Sequence, residues 1–152
     1  MPEEPREGQA HAQPRGRDRR VLAVFEPGAA GEATLREAAE LAEAGSELAV
    51  VTLAPQVRPP RCCGKGGTGP YNIAVREEAD VELRQARDIL GASAGRASFT
   101  VLVGHPSPPL AAWVQEHAFD LVLLPGHRFS RSGNRYARAI HSDTSAEVRV
   151  VV

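Results

Sequence analysis

The chain has 152 residues, room for one domain with a real core, and a formal charge of −1. That balance gives no field favouring nucleic acid or an anionic membrane, and no apolar run approaches the ~20 residues needed to span a bilayer. Two adjacent cysteines, Cys62 and Cys63, make no disulfide framework, and without an apolar leader core the expected location is cytoplasmic.

Residues 1–20 contain no Val, Ile, Leu or Phe. They cannot bury enough apolar surface to offset chain entropy, so a disordered tail is expected there, with a domain over 21–152. The tail ends in a short basic cluster, RGRDRR, read as a solvated leader, with an anion-binding arm as the alternative.

The first apolar run, VLAVF (21–25), predicts a strand. Glu32 to Ala44 repeats Leu35, Ala38, Leu41 and Ala42 on one helical face, and Gly45 is a stop signal. ELAVVTLA (47–54) is the second strand. Asn72 to Leu90 is a second helix, with Val75, Ala79, Leu83, Ala86 and Leu90 on its stripe, Asn72 as N-cap and Gly91 as stop. SFTVLVG (98–104) is the third strand. Ser107-Pro108 reads as an N-cap and first helical residue, opening a helix that buries Leu110, Trp113, Val114 and His117. DLVLLPG (120–126) is the fourth strand. The segment from Asn134 to Ala146 has few apolar anchors and predicts only about two helical turns. VRVVV (148–152) alternates, as an edge strand does.

Four of the five runs are nearly continuous, which suits strands covered on both faces. The expected fold is α/β: a single doubly wound, mostly parallel five-stranded sheet with helices on both faces. Ligands of such sheets bind beyond the carboxyl ends of the strands, where strand order reverses. The residues placed there are Glu26-Pro27-Gly28, Ala54-Pro55, Gly104-His105-Pro106 and Pro125-Gly126-His127-Arg128.

Three stretches carry a resemblance. VLAVFEPG is similar to a first strand ending in an acid; LVGHPSPPLAAWVQEHAFDLVLLPGHR to a strand, Gly-x-Pro turn, helix and fourth strand; and GHRFSRSG to a glycine-rich phosphate loop. Over residues 20–152 the chain resembles the universal stress protein family. The resemblance implies a stress-response or regulatory domain that is not an enzyme, with no required cofactor and with ATP or a related nucleotide as ligand. It also implies a homodimer through the C-terminal strand, 148–152, whose final valines carry no charge to block edge pairing. The family signature Gly-x2-Gly-x9-Gly-(Ser/Thr) puts its first glycine on Gly126 and its second on Phe129. Gly133 fits a later Ser-Gly after a one-residue insertion, and the last pair falls near Ile140 and His141, beside Ser142. Glu26 stands where the family has an aspartate that contacts the nucleotide. The implied binding residues are Glu26, Pro27, Gly28, Gly104, Gly126, His127, Arg128, Arg131, Gly133 and Ser142. Physically, Gly126 and Gly133 can free backbone N–H groups for an anion, and Arg128, Arg131 and Arg135 can supply charge. The Phe129 ring crowds that approach.

RCCGKGGTGPYN (61–72) formally spells G-x-G-x-x-G through Gly64, Gly66 and Gly69, but no strand directly precedes it. Adjacent cysteines lack zinc-ligand spacing. The stretch is read as a connection from the second strand to the second helix. Its alternative is a thiol redox sensor through Cys62 and Cys63, with Lys65 and Arg61 lowering a thiol pKa. A receiver domain and a serine hydrolase are excluded by missing acidic and G-x-S-x-G motifs. The rival to nucleotide binding is a dimerisation or interaction module of the same fold that binds no nucleotide.

Overall fold

The computed structural model describes residues 19–57, 68–104, 108–126 and 131–152, with the side chains of 131–134 left aside. The tail expected over 1–20 lies outside the described residues as far as residue 18, as do Cys62, Cys63, Lys65, His105, His127 and Arg128. The elements run β1 (Arg20–Val24), α1 (Ala29–Glu43), β2 (Glu47–Pro55), α2 (Gly69–Leu90), a 3-10 segment (Gly91–Arg96), β3 (Ala97–Gly104), α3 (Leu110–Glu116), β4 (Leu121–Pro125), α4 (Arg131–Asp143) and β5 (Glu147–Val151).

Every strand pair is parallel, and the order is β3-β2-β1-β4-β5. The chain steps outward from β1 to β3, then crosses back to β4 and β5. Right-handed crossovers therefore put α1 and α2 on one face and α3 and α4 on the other. The side chains agree. Val21, Ala23 and Phe25 of the first strand region meet Leu35, Ala38, Ala86 and Leu90, while Leu22 and Val24 meet Leu110, Val114 and Ile140. β4 is buried throughout, the reason its run is continuous.

The helix ends follow local chemistry. α1 begins a turn earlier than its apolar stripe, with Gly28 as N-cap at φ 120°. Gly45 closes it at φ 104°, and the N–H of Ser46 donates to Leu41 O at 3.0 Å, a glycine-dependent C-terminal turn. α3 starts at Leu110, not at Pro108. Pro108 precedes Pro109, and a residue before proline is forced out of the helical region. Trp113 and His117 are only half-buried; they stack with Phe119, ring centroids 5.3 Å and 6.2 Å away. α2 starts at Gly69, so Asn72 lies inside its first turns rather than at the cap. The Asn72 amide instead clasps the main chain of Val57, donating to its O and accepting from its N, both at 2.9 Å.

α4 is longer than its sequence predicts, with 13 residues. Ile140, fully buried between α3 and the sheet, anchors it, helped by the half-buried Tyr136 and Ala137. Burying one isoleucine stabilises by about 1.5–3 kcal/mol, enough to offset several poor helix formers. β5 is an edge, as its alternation predicts; Val150 and Val152 remain 45% and 86% exposed.

Candidate functional site

The strand order reverses between β1 and β4, and a cleft of about 520 Å³ opens there, at the carboxyl ends of the strands. Its walls are Phe25, Glu26, Pro27, Leu53, Pro55, Glu82, Arg135 and Tyr136. Register explains why these meet. Val24 is opposite Val51, so β1 ends while β2 runs on to Pro55. Glu26 thus sits below the rim, level with Leu53. The Thr52 hydroxyl donates to Ala79 O at 2.9 Å, which brings the middle of α2 to the same level. Glu82, one turn further along, then faces the cleft.

Burial, followed by the charges of Glu78 and Glu26, holds the Glu82 carboxyl above the usual carboxylate range. Tyr136 is also pushed up, first by burial and then by Glu26, with Arg135 acting in the opposite direction. The cleft combines an apolar floor with two carboxyls, a phenol and a guanidinium. Such a surface can hold a flat, polar-edged ligand through hydroxyl or amino donors.

The expected binding residues divide. Glu26 and Pro27 line the cleft, and Gly28 follows as the cap of α1. Arg131 and Gly133 fall in the first turn of α4, which starts just beyond β4. His127 and Arg128 lie outside the described residues. Gly104 ends the edge strand β3, two strands from β1, and its carbonyl accepts from Gln56 N at 2.7 Å; it is not part of the cleft wall. Gly126 is used by the fold itself. A Cβ there would stand 2.5 Å from Val150 Cγ1, and its N–H already donates to Val151 O at 2.6 Å.

Ser142 is not brought to the cleft. α4 runs back toward the amino ends of the strands, so Ser142 lies in its last turn, at the far end. There its hydroxyl donates to Asp143 Oδ1 at 2.9 Å, beside Thr144 and Phe119. Ile140, where the resemblance puts the third glycine, is a core residue at 0% exposure. Sequence reasoning missed Glu82. Its signal is slight: Glu82 is one of five acids in α2, set apart only by its place next to the apolar Leu83. Tyr136, also missed, is the aromatic residue of α4. Among the described residues no cluster of His, Cys, Asp and Glu could hold a metal ion.

No family model matches the chain, and no curated protein matches it in sequence. Solved structures do match. The universal stress protein from Archaeoglobus fulgidus in complex with dAMP is 21% identical, with a TM-score of 0.59 over 88% of this chain and 98% of that one. A universal stress protein family member from Burkholderia pseudomallei is 15% identical, with a TM-score of 0.63 over 91% and 98%. A universal stress protein in complex with cAMP is 16% identical, with a TM-score of 0.52 over 88% and 97%. The chain has the universal stress protein fold. Within that fold its cleft lies at the reversal of strand order, and no described helix is long and apolar enough to cross a membrane.

Proposed function

We propose that this chain is a non-catalytic regulatory domain of the universal stress protein type that binds an adenine nucleotide in the cleft between β1, β2, α2 and α4. The observation carrying this is the cleft itself. It stands at the topological switch point, with Glu26 and Tyr136 on opposite sides and the start of α4 close by. In doubly wound sheets, ligands sit at this place, with anionic groups toward a helix N-terminus. Two structures of the same fold carry dAMP and cAMP, which supports an adenine nucleotide here. Glu26 would accept from ribose hydroxyls or a base amine. Arg135 would approach the phosphate side.

The test is thermal unfolding with and without AMP, cAMP and ATP with magnesium. A ligand at a hundredfold its dissociation constant adds about 2.7 kcal/mol of stability. A melting shift with any of the three, lost in Glu26→Ala, is the expected result. No shift, together with no nucleotide released on denaturation, would favour the second reading: a dimerisation module that binds no nucleotide. One observation favours that rival. The space above Gly126 is taken by Val150 of the fold's own edge strand and by Val152 just past its end.

A further inference from the structure

The sheet has two edges. β5 presents five residues and carries Glu147 and Arg149; β3 presents eight, with no charge and no proline. Natural sheets blunt an edge with charge, proline or cover, because its outer N–H and C=O groups template another strand. Among the described residues no strand pairs with β3 on its outer side. Ala97 and Phe99 pack toward α1 and α2, and alternation puts Val101 and Val103 on the same face. All four are only half-buried.

The helix beside this edge is patterned to match. α2 packs over β2 and β3, and Glu82 marks the side of it that faces the cleft. The opposite flank lies toward the β3 edge: Arg87 sits over the Phe99 ring, 4.6 Å from its centroid, and Asp80, Arg84 and Arg87 share one surface hollow. Arg76, Glu77, Asp80, Arg84, Arg87 and Asp88, all exposed, fall within about a third of the helix circumference there. The described ion pairs are made by Arg19, Arg20, Arg36 and Arg149, and involve none of these six. Turned end for end about the level of Glu82, the flank complements itself. Arg76 meets Asp88, Glu77 meets Arg87, and Asp80 meets Arg84. The strand has the same midpoint. Thr52, opposite Val101, bonds Ala79 O, and three helical residues further on is about 4.5 Å, so Glu82 lies level with about Thr100, in the middle of β3.

We infer that β3 and the adjoining flank of α2 form an interface for a second copy of this chain, the two β3 strands running antiparallel about a two-fold axis at Thr100. One axis then serves strand and helix together. Thr100 faces its own counterpart, and Phe99 faces Val101 of the second copy, cross-strand pairs of kinds that stabilise sheets. A strand spacing of about 4.8 Å sets the two α2 axes about 10–14 Å apart, within reach of arginine–carboxylate pairs. One strand and one helix flank make a small interface, of the class below about 1,200 Å² whose complexes are weak. The contact therefore belongs to high concentration. It is separate from pairing at β5 and independent of any ligand in the cleft.

The test is sedimentation of the full chain carrying Val150→Asp, which charges the β5 edge, from about 10 μM to about 1 mM. A monomer at the low end and a dimer at the high end are expected, with amide exchange over 97–103 slowed in the dimer. Raising salt from about 50 mM to about 0.5 M should weaken the dimer several-fold, because the paired charges are exposed. Asp80→Arg sets like charges against each other twice per dimer and should weaken it roughly tenfold at low salt. Adding Arg84→Asp exchanges the two signs, keeps the flank self-complementary and should restore the dimer. Thr100→Lys, which brings two ammonium groups together on the axis, should abolish it. A chain still monomeric at about 1 mM overturns the inference. So does a dimer indifferent to Asp80→Arg and Thr100→Lys, or one that the exchanged pair fails to restore.

Discussion

Gly31 offers the sharpest test of how the cleft's β1–α1 wall is built. It lies in the first turn of α1, where the helix crosses the end of β1. A Cβ added there would overlap the backbone carbonyl oxygen of Glu26 and come within 3.2 Å of the Phe25 ring. A backbone carbonyl just past the end of β1 cannot swing away as a side-chain tip can. Gly31→Ala must push α1 off the sheet, and Leu35, Ala38 and Phe25, all at 0% exposure, would lose close contact. Overpacking costs about 1–3 kcal/mol and backbone collisions lie at the upper end, so a loss of about 3 kcal/mol is expected. For a domain of this size that lowers the melting temperature by roughly 9–15 °C. Urea unfolding of Gly31→Ala against Gly69→Ala isolates the steric term. A Cβ on Gly69, in the first turn of α2, meets nothing within 4 Å, so that variant should be neutral or slightly stabilising. Gly31→Ala within about 0.5 kcal/mol of wild type would refute the claim that this contact fixes the helix-to-strand distance.

Three further outcomes are expected. Asn72→Ala removes both bonds to Val57 and should cost about 1 kcal/mol in denaturant unfolding, with faster amide exchange at Val57. Two carboxyls should pull the pH profile of stability in opposite directions. Glu82, raised, contributes stability that is full below its unfolded pKa and lost as pH rises through its folded one, so Glu82→Gln should stabilise the domain at neutral pH. Glu147, lowered first by its bond from Arg19 and then by Arg149, contributes stability above its unfolded pKa that is lost as pH falls through its folded one; Glu147→Gln should remove that acid-side loss, and salt should shrink it because the pairs are exposed. Finally, if two copies pair through β5, sedimentation at micromolar concentration should show a dimer that Val150→Asp converts to monomer, because the exposed Val150 would lie in the joint. A monomeric wild type would rule that interface out.

The secondary structure of this chain was legible because it is written in short-range patterns. The runs at 21–25, 47–54 and 120–126 are apolar throughout, since both faces of β1, β2 and β4 are covered, and any other placement would expose them. Gly45 and Gly91 stop helices at positive φ, a preference local to one residue. The crevice at the end of β1 followed too, since alternating strands and helices with right-handed crossovers leave little choice of topology. What tertiary structure alone decided is which side chains share that crevice. The family resemblance, carried over position by position, assigned Gly126 and Ser142 to the ligand. The direction of α4 carries Ser142 to the opposite end of the sheet, and the packing of β5 takes up the room above Gly126. Glu82 enters from 56 residues beyond Glu26 in sequence because β2 outruns β1 and α2 is pinned alongside it, by Thr52 at its middle and Val57 at its start. Those offsets are distances between elements, and no local period encodes them.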